Sequence, residues 1–509
     1  MKVVIIHYHL NRGGVTQVIA NHLQGLSAHA PSGERTPVAL LYGGRSKGWL
    51  EGMPRELARL DVSLRIVPEL DYDNVRPGRR SLVEQLRSTL AQAGFLPRET
   101  ILHVHNHALG KNAALPGAVR ELADAGYPMV LQIHDFSEDF RPDNYRDVAA
   151  SPVTLYPQAP HVHYAVLNSR DRSILQAAGV EPSRLHLLPN AVADFGPLPR
   201  RKQARAKLAE RFGIPVDHRF VLCPIRGIRR KNLGEVLLWS ALAEVKTWFG
   251  VTLPPLNPLE QPSYARWKEL AAECGLPCAF ELGADGGLEF KENLSAADLI
   301  LTTSVAEGFG LVFLESWLAG RSLVGRDLPE ITSDFVSAGM RFDTLRPSLL
   351  VPVDWIGREA FRGSIEKAFA DVLAAYGEPS PAVELLRAKT DDLVHDGLAD
   401  FAAYTTSMQQ AIIKRVASDT SSRELVRAAN PWIVDALRSH EANQQAVEHN
   451  AEVVRSSYSL ASCGRRLLDI YHRVRASDRD HSHVPLPHGE RILQSFLDIS
   501  RFHPLRVEA

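Results

Sequence analysis

Residues 292–331, ENLSAADLILTTSVAEGFGLVFLESWLAGRSLVGRDLPEI, limit what this chain can fold into more than any other stretch. Leu299 to Thr302 is a short apolar, β-branched run of the kind that forms a buried parallel strand. Gly308 and Gly310 then open a helix that Gly320 closes at its C′ position. A strand, a glycine loop and a helix in this order make a cradle for phosphate or sugar. The first N–H groups of a helix have no intrahelical partner and carry the positive end of its dipole, so Gly308, Phe309, Gly310 and Leu311 can donate to an anion or to sugar oxygens.

The two acids of this run stand in different surroundings. Glu307 precedes the helix beside the glycines, and Glu315 sits about two turns in, flanked by Val312, Phe313, Leu314, Trp317 and Leu318. A short helix that is apolar nearly all round is a buried one. A carboxylate on it lies on its one wet stripe or is held by a bound hydroxyl or cation, because burying it unpaired is costly. The plain alternative is a loop acid and a solvated helix acid.

The run resembles the C-terminal signature of the retaining GT-B glycosyltransferases of family 4, the E-x7-E group, in which an ADL strand is followed by EGFGL and a second Glu. The resemblance covers about forty residues. It implies an α/β protein of GT-B type: two Rossmann-like, doubly wound domains facing a cleft, with extra C-terminal helices here. It implies that Glu307 contacts hydroxyls of a donor sugar, that Glu315 holds the ribose of its nucleotide, and that the loop amides lie against sugar and diphosphate.

At 509 residues the chain has room for two to four domains. Its formal net charge of −1 implies no general attraction to nucleic acid or to an anionic membrane. Four cysteines, with no CxxC pairing, fit a reducing compartment better than a disulfide framework. MKVVIIHYHL is a strand pattern interrupted by His7 and His9, too short and too polar for a secretory signal. No apolar run reaches bilayer-spanning length. The expectation is a cytoplasmic protein without an integral membrane segment, peripheral contact through a helix face remaining open.

Along the chain, residues 2–7 read as a strand, and Leu-Asn-Arg-Gly-Gly then leads into a helix near Val15. The G-x-G-x-x-G of nicotinamide sites is missing. Gly13 and Gly14 serve either a tight turn or, as the resemblance implies, the approach of the donor diphosphate. Strands at 37–41, 64–67, 101–104, 129–133 and 162–167, with helices at 81–93 and 113–125 between them, argue a parallel sheet covered on both faces.

His103, His105 and His107 alternate as metal ligands on a strand can, but no carboxylate partner has an obvious spacing and the strand is expected to end before His107. His134 resembles the family's histidine at an N-domain strand end, close to the reacting carbon of the donor; otherwise it is a strand-end histidine bonded to a carbonyl.

Residues 166–169 and 188–192 (LPNAV) resemble the last N-domain strands, and 195–205, rich in Pro and basic residues, reads as the linker. A second α/β unit follows: a strand at 220–225, the loop RGIRRKN, and a helix from about Asn232. Arg226 and Lys231 are a solvated basic loop or, by resemblance, the cations that take the charge gathering on the β-phosphate as the sugar leaves. In that role they stand in place of a metal, so no metal and no cofactor beyond the nucleotide-sugar co-substrate is expected.

The domain expectation is therefore 1–196 on the acceptor side and 197–457 for the nucleotide-sugar, with a helical elaboration at about 382–439. A crossover helix at 458–474 returns to the first domain, and 475–509 is a surface tail. The function expected is retaining transfer of a hexose from a UDP-, GDP- or ADP-sugar to a hydroxyl of a soluble metabolite or saccharide. The alternatives are an epimerase or phosphorylase of the same fold, or a sugar-nucleotide-binding protein without turnover. Nothing in the sequence speaks to the oligomeric state.

Overall fold

The computed structural model describes the chain except residues 31–32, 50–56, 75–80, 150–153, 244–245, 439–443, 480–483 and 508–509. It divides into two compact units: Met1–Ala193 with Ser456–Leu497, and Asp194–Arg455 with Asp498–Ala509.

The first unit is built on a seven-stranded parallel sheet: β1 (Lys2–Ile6), β2 (Thr36–Tyr42), β3 (Leu60–Ile66), β4 (Thr100–His105), β5 (Met129–Ile133), β6 (Val162–Val166) and β7 (Leu185–Leu187). The strand order is β3-β2-β1-β4-β5-β6-β7. Successive side chains of a strand point to opposite faces, and both faces are apolar here. Val4 and Ile6 join a core with Leu86, Leu90, Val119 and Leu122 from the helices Leu82–Gln92 and Leu115–Asp124. Val3 and Ile5 join another with Ile19, Leu23 and Leu26 of the helix Gly14–His29 and with Leu467, Ile470 and Val474 of the helix Leu460–Ala476.

Those last two helices cross at two glycines. A Cβ at Gly25 would lie 2.7 Å from the Leu460 carbonyl oxygen and 2.9 Å from the Gly464 nitrogen, and one at Gly464 would strike the Gly25 carbonyl.

The second unit repeats the plan. Strands β8 (Arg219–Arg226), β9 (Thr247–Leu253), β10 (Cys278–Ala279), β11 (Leu299–Thr302), β12 (Ser322–Arg326) and β13 (Leu345–Arg346) form a parallel sheet in the order β10-β9-β8-β11-β12-β13. Connections from β8 run outward to β9 and β10, and those from β11 run the other way, so the switch point falls between β8 and β11. A three-stranded antiparallel sheet, β14 (Leu350–Pro352), β15 (Val394–His395) and β16 (Leu398–Asp400), lies beyond it in sequence. The helices Thr406–Ser418, Thr420–Ala429 and Pro431–Arg438 follow. No helix among the described residues is long and apolar enough to cross a membrane.

Two expectations are corrected. Residues 195–205 are not linker throughout, because the helix Arg201–Phe212 begins inside them. Ala204 and Leu208, four residues apart, are buried on one face, and Arg201 and Arg205 both pair with Asp298, so the basic run is anchored rather than free. Nor is 475–509 a surface tail. Ile492, Leu493 and Phe496 are buried in the helix Glu490–Phe496, and Ile499, Phe502 and Leu505 are buried after it. Apolar residues three to four apart gave that segment a face to bury, which its many histidines obscured in the sequence.

Candidate functional site

Parallel strands deliver their following loops to one edge of a sheet, so β8 and β11, neighbours at the switch point, bring two loops together. Lys231 ends a single 3₁₀ turn, Arg229–Lys231, after β8, and Glu307 lies in the loop after β11. Their side chains form an ion pair that is largely out of water, 16% and 6% exposed. Two further bonds tie the loops: the Val305 N–H donates to the Arg230 carbonyl at 2.9 Å, and the Thr303 hydroxyl to the Lys231 carbonyl at 2.7 Å. Burial alone would push the Glu307 carboxyl up, but Lys231 and then Arg230 outweigh it and hold Glu307 below the usual carboxylate range. Burial lowers Lys231 from its ordinary value, with Glu307 opposing. Arg226, the last residue of β8, donates to the Pro254 carbonyl at 2.9 Å.

The turn carrying Lys231 is fixed from below. Asn232 has φ of 49°, in the left-handed region that Asn tolerates better than most residues. Its amide donates to Glu235 at 2.8 Å. Glu235 is also bound by Arg326, the end residue of β12, which pairs with Asp400 as well. Burial pushes Glu235 up to about 7 despite that arginine, while Arg326 is held above its ordinary value because the two acids outweigh burial.

The helix of the glycine loop runs Val312–Leu318, after Gly308, Phe309, Gly310 and Leu311. Gly310 has φ of +80°, and a Cβ there would lie 2.5 Å from the Phe313 ring, so the fold itself requires this glycine. Phe309 is buried against Phe335, ring centroids 5.5 Å apart, which leaves its main chain to line the loop. Gly320 is left-handed as expected. Its N–H donates to the Trp317 carbonyl and that of Arg321 to the Ser316 carbonyl, the Schellman pattern. Glu315 keeps part of its surface in solvent, yet burial among the apolar residues of its helix pushes its carboxyl up to about 7.

In the first unit, Gly14 begins the helix after β1, with Gly13 as its cap at φ of 179°, an extended conformation open to any residue. A Cβ at Gly14 would meet nothing within 4 Å and one at Gly13 only the Asn11 carbonyl at 3.8 Å. The chain bends over residues 11–13 before this helix, and neither glycine is required there by backbone strain or packing. His134 follows β5; its N–H donates to the Asn106 side-chain oxygen at 2.7 Å and its Nε2 shares a hydrogen bond with His105 Nδ1 at 2.8 Å. Burial lowers it to about 4 against the pull of Asp135, so the ring is neutral near pH 7.

Behind it lies a group that sequence reasoning saw only in part. Ile101, His103 and His105 alternate toward the helices Gly14–His29 and Leu460–Ala476, which puts both rings beneath His22 and the His103 ring against Tyr471. His107 is not one of the set: the strand ends at His105, Asn106 turns left-handed, and His107 Nε2 donates to the Leu155 carbonyl at 2.8 Å. One nitrogen each of His22, His103 and His105 lie within 4.8 Å of one another. Their rings nevertheless stack, at 22° and 17° to His103, so lone pairs, which lie in the ring planes, do not converge on one point. Both nitrogens of His103 are also engaged, by Tyr471 at 2.8 Å and Gln132 at 2.9 Å. The cluster is a packed, neutral layer under His134. His22 was missed because nothing in a helical GVTQVIANHL marks where its ring will lie.

No protein-family model matches the chain. Mannosylglucosyl-3-phosphoglycerate synthase of Petrotoga mobilis is 29% identical over 342 residues, which span 65% of this chain and 66% of that protein, just under two thirds of its length. Among solved structures, HepE from Anabaena, determined with UDP and glucose, is similar with a TM-score of 0.52 at 13% identity, over 93% of this chain and 99% of that one. Sucrose-phosphate synthase from Thermosynechococcus elongatus gives 0.53 at 13% identity, over 94% and 99%. At that identity the likeness is one of fold, and the fold is GT-B.

Proposed function

We propose that this GT-B chain is a glycosyltransferase that moves a hexose from a nucleotide diphosphate sugar to a hydroxyl acceptor with retention at the anomeric carbon. The observation that supports it most is the buried Lys231–Glu307 pair at the switch point of the second sheet, with Arg226 at the end of the neighbouring strand. Sites in open α/β sheets form at such a point, and a cation there suits a diphosphate. The sequence similarity to a sugar-phosphoglycerate synthase agrees with a small, soluble, saccharide-containing acceptor, and the HepE structure with UDP and glucose with a UDP-sugar as the first donor to try.

In this reading the bond between the anomeric carbon and the β-phosphate oxygen breaks as the bond to the acceptor oxygen forms on the same face. The acceptor proton passes to the leaving phosphate. Lys231 and Arg226 bear the charge that accumulates there, with no metal required. Phosphate oxygens compete for Lys231, and Glu307 is then released to orient sugar hydroxyls. His134, neutral at working pH, orients the same sugar. Glu315 holds the ribose, and the Gly308–Leu311 amides and the loop at Gly13 and Gly14 lie against sugar and diphosphate.

The test is release of nucleoside diphosphate from UDP-, GDP- and ADP-sugars in EDTA, with and without pooled phosphorylated and neutral saccharide acceptors. Acceptor-dependent release from one donor is expected. Binding of a donor with no release under any acceptor would replace the proposal with a non-catalytic role.

A further inference from the structure

The last described residues do more than finish the chain. The helix Glu490–Phe496 belongs to the first unit, but from Asp498 onward the chain belongs to the second. There it makes two single 3₁₀ turns, Ile499–Arg501, where the Ser500 N–H donates to the Asp498 side chain, and Pro504–Arg506. Ordering such a segment costs about 1–2 kcal/mol per residue in backbone entropy, so it stays in place only by burying its apolar side chains. It does so at Ile499, Phe502 and Leu505, with the Phe502 ring 5.3 Å from that of Phe369.

Leu505 is the informative one. With Val305 and Ala402 it forms a small buried cluster of its own, at 4%, 4% and 0% exposure. Val305 stands two residues before Glu307, and its N–H is the one that donates to the Arg230 carbonyl. The turn Pro504–Arg506 also packs against the turn Arg229–Lys231. The segment is held in register by His503, whose Nδ1 lies 3.2 Å from the Ala402 carbonyl. One short turn, Pro504–Arg506, therefore lies against both loops that carry the Lys231–Glu307 pair, through Leu505 on Val305 and through its own packing on the turn Arg229–Lys231.

We propose that residues 498–507 are a positioning element for the nucleotide-sugar site, in which Leu505, seated on Val305 and Ala402, holds the Val305–Glu307 loop against the Arg229–Lys231 turn. The ligand whose binding it supports is a nucleoside diphosphate. The inference rests on the glycosyltransferase reading above. Leu505 touches no reacting group in this account; it acts through Val305. Loosening that seat lets the two loops separate, which weakens binding of the diphosphate before it affects the chemical step.

The experiment measures nucleoside diphosphate binding by titration calorimetry, and donor KM and kcat, in the wild type, Leu505→Ala, Leu505→Met, and a chain ending at 497. Leu505→Ala is expected to weaken binding and raise donor KM by about tenfold with kcat within about twofold, and Leu505→Met to restore both. The shortened chain should behave as Leu505→Ala; if it does not fold, the point variants decide alone. Val305→Ala should also be non-additive with Leu505→Ala in donor KM. Unchanged binding and KM in Leu505→Ala, or a loss of kcat and KM that Leu505→Met fails to restore, overturns the proposal. If the wild type itself binds no nucleoside diphosphate, it is the transferase reading that fails, and the positioning role fails with it.

Discussion

Replacing Lys231 by Met keeps the aliphatic stem and removes the charge, leaving Glu307 buried at 6% exposure without its closest partner. Breaking a buried pair from one side costs about 3–5 kcal/mol, and the lower end is expected because Arg230 also lowers Glu307. The loss should depend on pH. In the wild type the folded Glu307 titrates below its ordinary value, so its stabilisation is complete above the usual carboxylate range and disappears as pH falls through the folded value. In Lys231→Met only burial and Arg230 act strongly; the carboxyl rises, and the variant recovers by taking up a proton. The stability gap between wild type and variant is therefore widest at pH 7–8 and shrinks towards pH 4.

Denaturant unfolding followed by tryptophan fluorescence is the suitable assay. Trp239, Trp248, Trp267, Trp317, Trp355 and Trp432 all belong to the second unit, and only Trp49 to the first. The double variant Lys231→Met/Glu307→Gln should be less destabilised than the sum of the single ones, with a coupling of about 1–3 kcal/mol. Additive effects, or a gap equal at pH 4 and pH 8, would refute the reasoning. Transfer should fall by roughly 10²–10³ in the single variant, as when an oxyanion donor is removed.

Glu315, held at about 7 by burial, has a folded value above its unfolded one, so it subtracts stability as pH rises from the ordinary carboxylate range through 7. Glu315→Gln should therefore gain stability over wild type above pH 7 and lose donor affinity, read by parallel melts and nucleotide titrations. Gly310→Ala, with its Cβ 2.5 Å from the Phe313 ring at positive φ, should cost about 1–3 kcal/mol in an unfolding titration. Gly14→Ala, whose Cβ meets nothing within 4 Å, should leave the unfolding midpoint unchanged while raising donor KM. Gly464→Ala should separate the helices Gly14–His29 and Leu460–Ala476, seen as loss of amide-exchange protection across both.

The sequence by itself determined the architecture and the local signals. The apolar runs at β1, β4, β5, β8 and β11 are strands because they are short, β-branched and bounded by polar or glycine residues. Gly320 ends its helix because a left-handed C′ residue is needed there, and Gly310 is required by the approach of Phe313. These are interactions between near neighbours in sequence, which a one-dimensional pattern records.

Only the tertiary structure decided which of these residues meet. Lys231 and Glu307 are 76 positions apart, and they pair because β8 and β11 are adjacent in the sheet. His22, His103, His105 and His134 come from a helix, a strand and the loop after another strand, and whether they would ligate an ion or stack depended on ring orientation, which spacing does not encode. Arg201 and Arg205 read as part of a linker until Asp298 was found beside them. The segment at 498–507 read as a surface extension because the contacts that bury it, Val305, Phe369 and Ala402, lie about one hundred or more residues away in the chain.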